Sequence, residues 1–108
     1  MKKTTTVLTR NHGEQQWEVF AENNGLAVTL DTVSNNYTVT LMTLGYKLGY
    51  RGFRTVEAAK GFMDSVADLH DWKELKKVFT KETVPEGLGK KVSDNFKLWQ
   101  ANEDTDGY

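Results

Sequence analysis

Between Tyr46 and Arg54 the chain sets three rings, Tyr46, Tyr50 and Phe53, beside three cations, Lys47, Arg51 and Arg54. Aromatic faces stack on nucleobases while Arg and Lys neutralise phosphates, so on an open sheet this run would hold nucleic acid. A one-sided sheet gives the same residues another use: Tyr46, Leu48 and Tyr50 pack beneath a helix, and Lys47 and Arg51 point to water. A second group, Trp72, Lys73, Lys76 and Lys77, is interspersed with Glu74 and followed by Lys81 and Glu82. It reads as a solvated helix face with local ion pairs or, together with Phe79 and Trp99, as a surface that docks on another protein.

Reaction chemistry is harder to find. His12 and His70 have no second histidine or carboxylate at a helical metal-ligand spacing, and the chain has no cysteine for a thiolate nucleophile or a zinc site. Ser34, Ser65 and Ser93 stand outside any GxSxG elbow. The glycines of GYKLGYRG, Gly45, Gly49 and Gly52, match neither GxGxxG nor a Walker loop. The expectation is a protein with no catalytic residue, metal or cofactor. A histidine found beside carboxylates in one pocket would reopen the enzymatic reading.

At 108 residues the chain fits one domain. Residues 1–100 are assigned to it, and residues 101–108, with Glu103, Asp104 and Asp106, to a solvated acidic tail. The formal net charge of -1 lacks the strong basic field of a dedicated nucleic-acid binder. No stretch approaches the roughly 20 apolar residues of a membrane span. Lys2 and Lys3 lead into a threonine run rather than a hydrophobic signal core, so a cytoplasmic protein is expected.

The elements that must position these residues begin with β-prone stretches at 3–9, 14–22 and 26–33, separated by Asn11-His12-Gly13 and Asn23-Asn24-Gly25 turn signals. In the second, Gln15, Trp17, Val19 and Ala21 alternate against Glu14, Gln16, Glu18 and Glu22, the pattern of one buried and one wet face; Phe20 breaks it. After Ser34-Asn35-Asn36 a further stretch starts at Tyr37, and its apolar phase shifts between Leu41 and Met42. Either a bulge or a turn around Gly45 or Gly49 produces such a shift.

Thr55 reads as an N-cap, and Val56, Ala59, Phe62, Met63, Val66 and Leu69 form one apolar helical stripe. Asp71 and Glu74 resemble a capping box for a second, short helix bearing Trp72, Leu75 and Phe79. Leu88, Val92, Phe96 and Trp99 give a third from about residue 88 or 91 to 100, with Pro85 at its approach. The predicted class is therefore α+β: an antiparallel sheet of four strands, or five, packed on one face by an amphipathic helix, plus two short C-terminal helices.

At GFRTVEAAKGF, residues 52–62, the chain resembles the strand-turn-helix step of the AP2-like arm-binding domains of phage and transposon integrases. Phe53, Arg54, Thr55, Glu57 and Ala59 carry the similarity. The resemblance implies a sheet whose exposed face enters a DNA groove, with Lys47, Arg51 and Tyr50 on or near it. The chain departs from that family in its extra strands before the step and its further helices after it. Function is expected to be non-catalytic: a small accessory protein of the phage or plasmid kind that docks on and modulates a larger protein, such as a host nucleic-acid-handling or defence enzyme. Direct nucleic-acid binding by the sheet face is the alternative, and an unrecognised enzyme the third.

Overall fold

The computed structural model describes residues 3–9, 11–43, 45–74 and 87–106. Five strands, β1 (Thr4–Thr9), β2 (Gly13–Asn23), β3 (Leu26–Asp31), β4 (Asn36–Leu41) and β5 (Tyr46–Phe53), form one antiparallel meander in sequence order. The reversals fall where the chain tolerates positive φ. Asn24 (51°) and Gly25 (87°) turn β2 into β3, Asn35 (59°) precedes β4, and Gly45 (76°) precedes β5. The phase shift after Leu41 is thus a chain reversal, closed by Gly45 N–H donating to Leu41 O at 2.8 Å, and the sheet has its fifth strand.

One bulge decides which way the sheet's side chains face. Val19 pairs with Thr29 but Ala21 pairs with Val28, so Phe20 is an extra residue and the strand changes sides across it. Trp17 and Val19 therefore share a face with Ala27 and Thr29, whereas Ala21 joins Val28 and Leu26 on the other. The common side expected for Gln15, Trp17, Val19 and Ala21 thus ends at Val19. Glu14 and Gln16 are exposed, as expected of a wet face, while the face that carries Trp17 is closed off by the sheet itself. The sheet curls until Leu8 N–H donates to Gly45 O at 2.8 Å, and Val7, Trp17, Ala27, Thr29, Thr38 and Thr40 are buried within the curl. Thr29 Oγ1 lies 2.9 Å from Thr38 Oγ1 and 2.8 Å from Thr40 Oγ1, so these hydroxyls satisfy one another away from water.

The opposite face carries the main core. Helix α1 (Val56–Ala67) begins as expected: Thr55 is extended and its hydroxyl accepts from Ala58 N–H at 3.1 Å, with Glu57 in the first turn. It buries Ala59, Phe62, Met63, Val66 and Ala67 against Leu26, Val28, Val39 and Leu41. The helix stops two residues short of Leu69, where Asp68 is the C-cap. The two C-terminal helices differ from expectation. Trp72–Glu74 is one turn of 3-10 helix, and the continuation through Leu75 and Phe79, like the Pro85 approach, lies outside the described residues.

Helix α2 spans Leu88–Asp106, so it is long rather than short and continues past residue 100 into the segment assigned to a tail. Leu88 and Phe96 anchor it in the core with Val92 and Trp99 against them, and the residues beyond need only sustain backbone hydrogen bonding. Phe53, Phe62 and Phe96 bind strand and helices together with ring centroids 5.4–5.6 Å apart. Gly89 sits in α2 with nothing within 4 Å of the position a Cβ would take. Gly89→Ala should accordingly raise stability by about 0.5–1 kcal/mol, read as a higher urea midpoint with an unchanged slope.

Candidate functional site

The described members of the ring and cation run, Tyr46, Lys47, Phe53 and Arg54, do not share one open face. Phe53 is 1% exposed and belongs to the phenylalanine cluster, so it is a core residue and not a contact residue. Tyr46 is half-buried and pairs with Leu41, on the helix-bearing face. Lys47 pairs with Thr40 on the opposite face, where the curled sheet receives it. Its ammonium lies 3.4 Å from Asp31 Oδ2 and 5.9 Å from the centre of the Trp17 ring, so it does not point simply to water. Arg54 is exposed just beyond β5. Tyr50 and Arg51 lie in β5, and their side chains are outside the described set.

Asp31 is the electrostatic centre of this end of the curl. Its side chain is only 4% exposed. Oδ1 accepts from Val33 N–H at 2.8 Å and Ser34 N–H at 3.1 Å, which shapes the β3–β4 turn, while Asn35 N–H donates to the Asp31 carbonyl at 2.7 Å. Burial pushes the carboxyl upward, but the Ser34 backbone and hydroxyl, the Val33 N–H and the Lys47 charge together outweigh it. The group is held below its ordinary 3.8.

That shift has a defined sign. A carboxylate with a depressed folded-state pKa contributes stability that is full above its unfolded value and is lost as pH falls through the folded one. The difference in melting temperature between wild type and Asp31→Asn should be constant above about pH 5 and shrink progressively below about pH 4.

A cleft of about 210 Å³ opens between the β1–β2 and β3–β4 turns, lined by Thr9, His12, Trp17, Asp31, Ser34 and Lys47 among others. A histidine and a carboxylate thus share one cleft, the arrangement that would reopen an enzymatic reading. The carboxylate is already engaged by two backbone N–H groups and an ammonium, which fits a turn-shaping role. His70 packs edge-on to Trp72 at 5.7 Å, away from this cleft. Among the described residues no three His, Asp or Glu side chains are placed to hold a metal ion. No described helix is long and apolar enough to cross a membrane.

Of the second expected surface, the two described tryptophans are drawn inward. Trp72 is fully buried and donates its Nε1–H to Val66 O at 2.9 Å, so it cannot serve as a contact residue on the surface. Trp99 is half-buried over Gly61, where an added Cβ would overlap its six-membered ring. Lys73 is exposed beside Gly25, while Lys76 and Lys77 lie outside the described residues.

Among the described residues, the exposed ring lies elsewhere. Phe20, the bulge residue, is 40% exposed and meets half-buried Tyr37 edge to face, with centroids 5.3 Å apart and planes at 87°. Leu30, cross-strand from Tyr37, is half-buried alongside. The signal for this patch in the sequence was the aromatic out of phase in β2. Bulges re-aim side chains, and this one turns a large ring outward next to a second ring.

Within the strand-turn-helix step, Phe53 is a buried ring, Thr55 caps α1 and Ala59 packs in the core, while Arg54 and Glu57 are exposed. No protein-family model, curated protein or solved structure matches the chain.

Proposed function

We propose that this protein is a non-catalytic binding protein that docks on and modulates a larger protein, with Phe20 and Tyr37 as the anchor of its contact surface. The observation that carries the reading is the Phe20–Tyr37 ring pair, held edge to face on the sheet beside the β2 bulge with Phe20 open to solvent. Rigid aromatic groups bury much apolar area for little lost rotamer freedom, which is why such rings supply a large share of binding energy at protein contacts. The engagement of Asp31 by its own turn supports the non-catalytic part of the reading.

The test is affinity capture from cells that carry the gene, comparing wild type with Phe20→Ser, alongside retention of fluorescent single- and double-stranded oligonucleotides at low and moderate salt. A protein recovered with wild type and depleted at least about tenfold with Phe20→Ser is the expected result, since one truncated hot-spot ring removes 2 kcal/mol or more. Equal capture by both proteins would count against the anchor. Salt-sensitive oligonucleotide binding that survives Phe20→Ser would favour the nucleic-acid reading instead.

A further inference from the structure

We propose that Asn24–Gly25 is a self-modification site, at which ring closure to a succinimide releases the β2–β3 hairpin from the end of α1. The reaction needs only the chain and water. The Gly25 backbone nitrogen bonds to Asn24 Cγ, the Cγ–Nδ2 bond breaks, and ammonia departs carrying the proton that the Gly25 nitrogen gives up. Water then opens either imide carbonyl, leaving an aspartyl or isoaspartyl residue at position 24. Glycine is the residue that least obstructs the attacking nitrogen, because it has no side chain.

The fold restrains this chemistry with the same amide that would react. Asn24 Nδ2 donates to Ala67 O at 2.8 Å and to His70 O at 3.0 Å, so both of its hydrogens are held by the chain that ends α1. Those acceptors include a carbonyl of the last helical turn, which has no partner within the helix. Gly25 is buried, and a Cβ there would come within 3.0 Å of Lys73 N and 3.2 Å of the Trp72 carbonyl carbon. The backbone of the pair therefore has little room to bring nitrogen and Cγ together while the hairpin stays docked. Local opening is the step that permits reaction.

The product cannot restore the contact. A carboxylate only accepts hydrogen bonds, and it would face two carbonyl oxygens at the negative end of the α1 dipole. An isoaspartyl linkage also lengthens the main chain within the tight turn. The site thus converts a transient opening of the hairpin into a lasting one. This inference rests on the fold and not on the docking reading.

The experiment incubates the full chain in mildly alkaline buffer at one temperature, folded and in urea, and follows the amide-to-acid mass change at position 24 by peptide mapping. Conversion in the folded protein at least about tenfold slower than in urea is expected, the factor that a modest opening free energy imposes. Asn24→Asp, which carries the aspartyl product directly, should melt lower by roughly 4–8 °C. Equal rates in the folded and urea-unfolded protein would overturn the proposal, as would absence of conversion in urea. So would an Asn24→Asp protein that melts with wild type.

Discussion

Trp72→Ala should destabilise the protein by about 3–5 kcal/mol, a fall in melting temperature of roughly 15–30 °C for a domain of this size. The side chain is fully buried in the main core, and its indole N–H donates to Val66 O, so truncation removes packing on both the helix end and the sheet. Trp72→Phe separates the two contributions. The Val66 carbonyl still accepts from Leu69 N–H at 3.1 Å, so losing the indole donor leaves no stranded acceptor. The Phe variant should therefore cost only about 1–2 kcal/mol, from one lost hydrogen bond and a modest void. Urea titration of the three proteins distinguishes these outcomes. A Trp72→Ala protein within 1 kcal/mol of wild type would mean that the ring does not hold the helix end to the sheet.

Gly52→Ala should be strongly destabilising for a different reason. A Cβ at Gly52 would lie 2.6 Å from Asn36 Cβ and 2.9 Å from Tyr37 O, and the second of these is backbone that no side-chain rotation can move. The register of β4 and β5 is irregular here, since Tyr37 pairs with Phe53 while Val39 pairs with Leu48, and the strands approach closely where it resumes. Gly52 also anchors α2, because Gln100 Nε2–H donates to its carbonyl at 2.8 Å. Displacing this strand end disturbs both contacts, with an expected cost of about 1–3 kcal/mol from overpacking. The opposite sign predicted for Gly89→Ala makes the pair informative: the same substitution is favourable in open helix and unfavourable where backbones meet. Equal effects at the two positions would contradict the strand approach.

The meander was legible because turn chemistry is local. Asn24-Gly25, Asn35 and Gly45 each supply the positive φ that the chain needs at its reversals. Helix α1 was legible from Thr55, Glu57 and an unbroken apolar stripe. What the sequence hid was facing. One extra residue at Phe20 moves Ala21 to the opposite side from Trp17, and nothing in the local pattern shows that the outer half of β2 folds back to close the curl.

Phe53 and Trp72 were candidate contact residues for the same reason, and both are buried. Tyr, Phe, Trp and Lys in β5 and after α1 look alike in sequence whether they meet solvent or core, because their placement depends on long-range closure. Phe53 meets Phe62 and Phe96, Trp72 meets the end of α1, and Lys47 meets Asp31 across the intervening strand. Phe20 was visible only as an exception to alternation, which is how a bulge announces itself. The length of α2 was hidden by its acidic end, which has the composition of a solvated tail yet continues the helix through Asp106.

The most direct measurement of the docking account places a photo-crosslinking residue at position 20 and, in a second protein, at position 98, and irradiates both in cells that carry the gene. Leu98 is the right control because it is 57% exposed on α2, more open than Phe20. The account predicts a discrete covalent adduct with one larger protein from position 20 and none from position 98, since a contact anchored on the Phe20–Tyr37 pair places only the first at the interface. No adduct from position 20, or the same adducts from both positions, would contradict it.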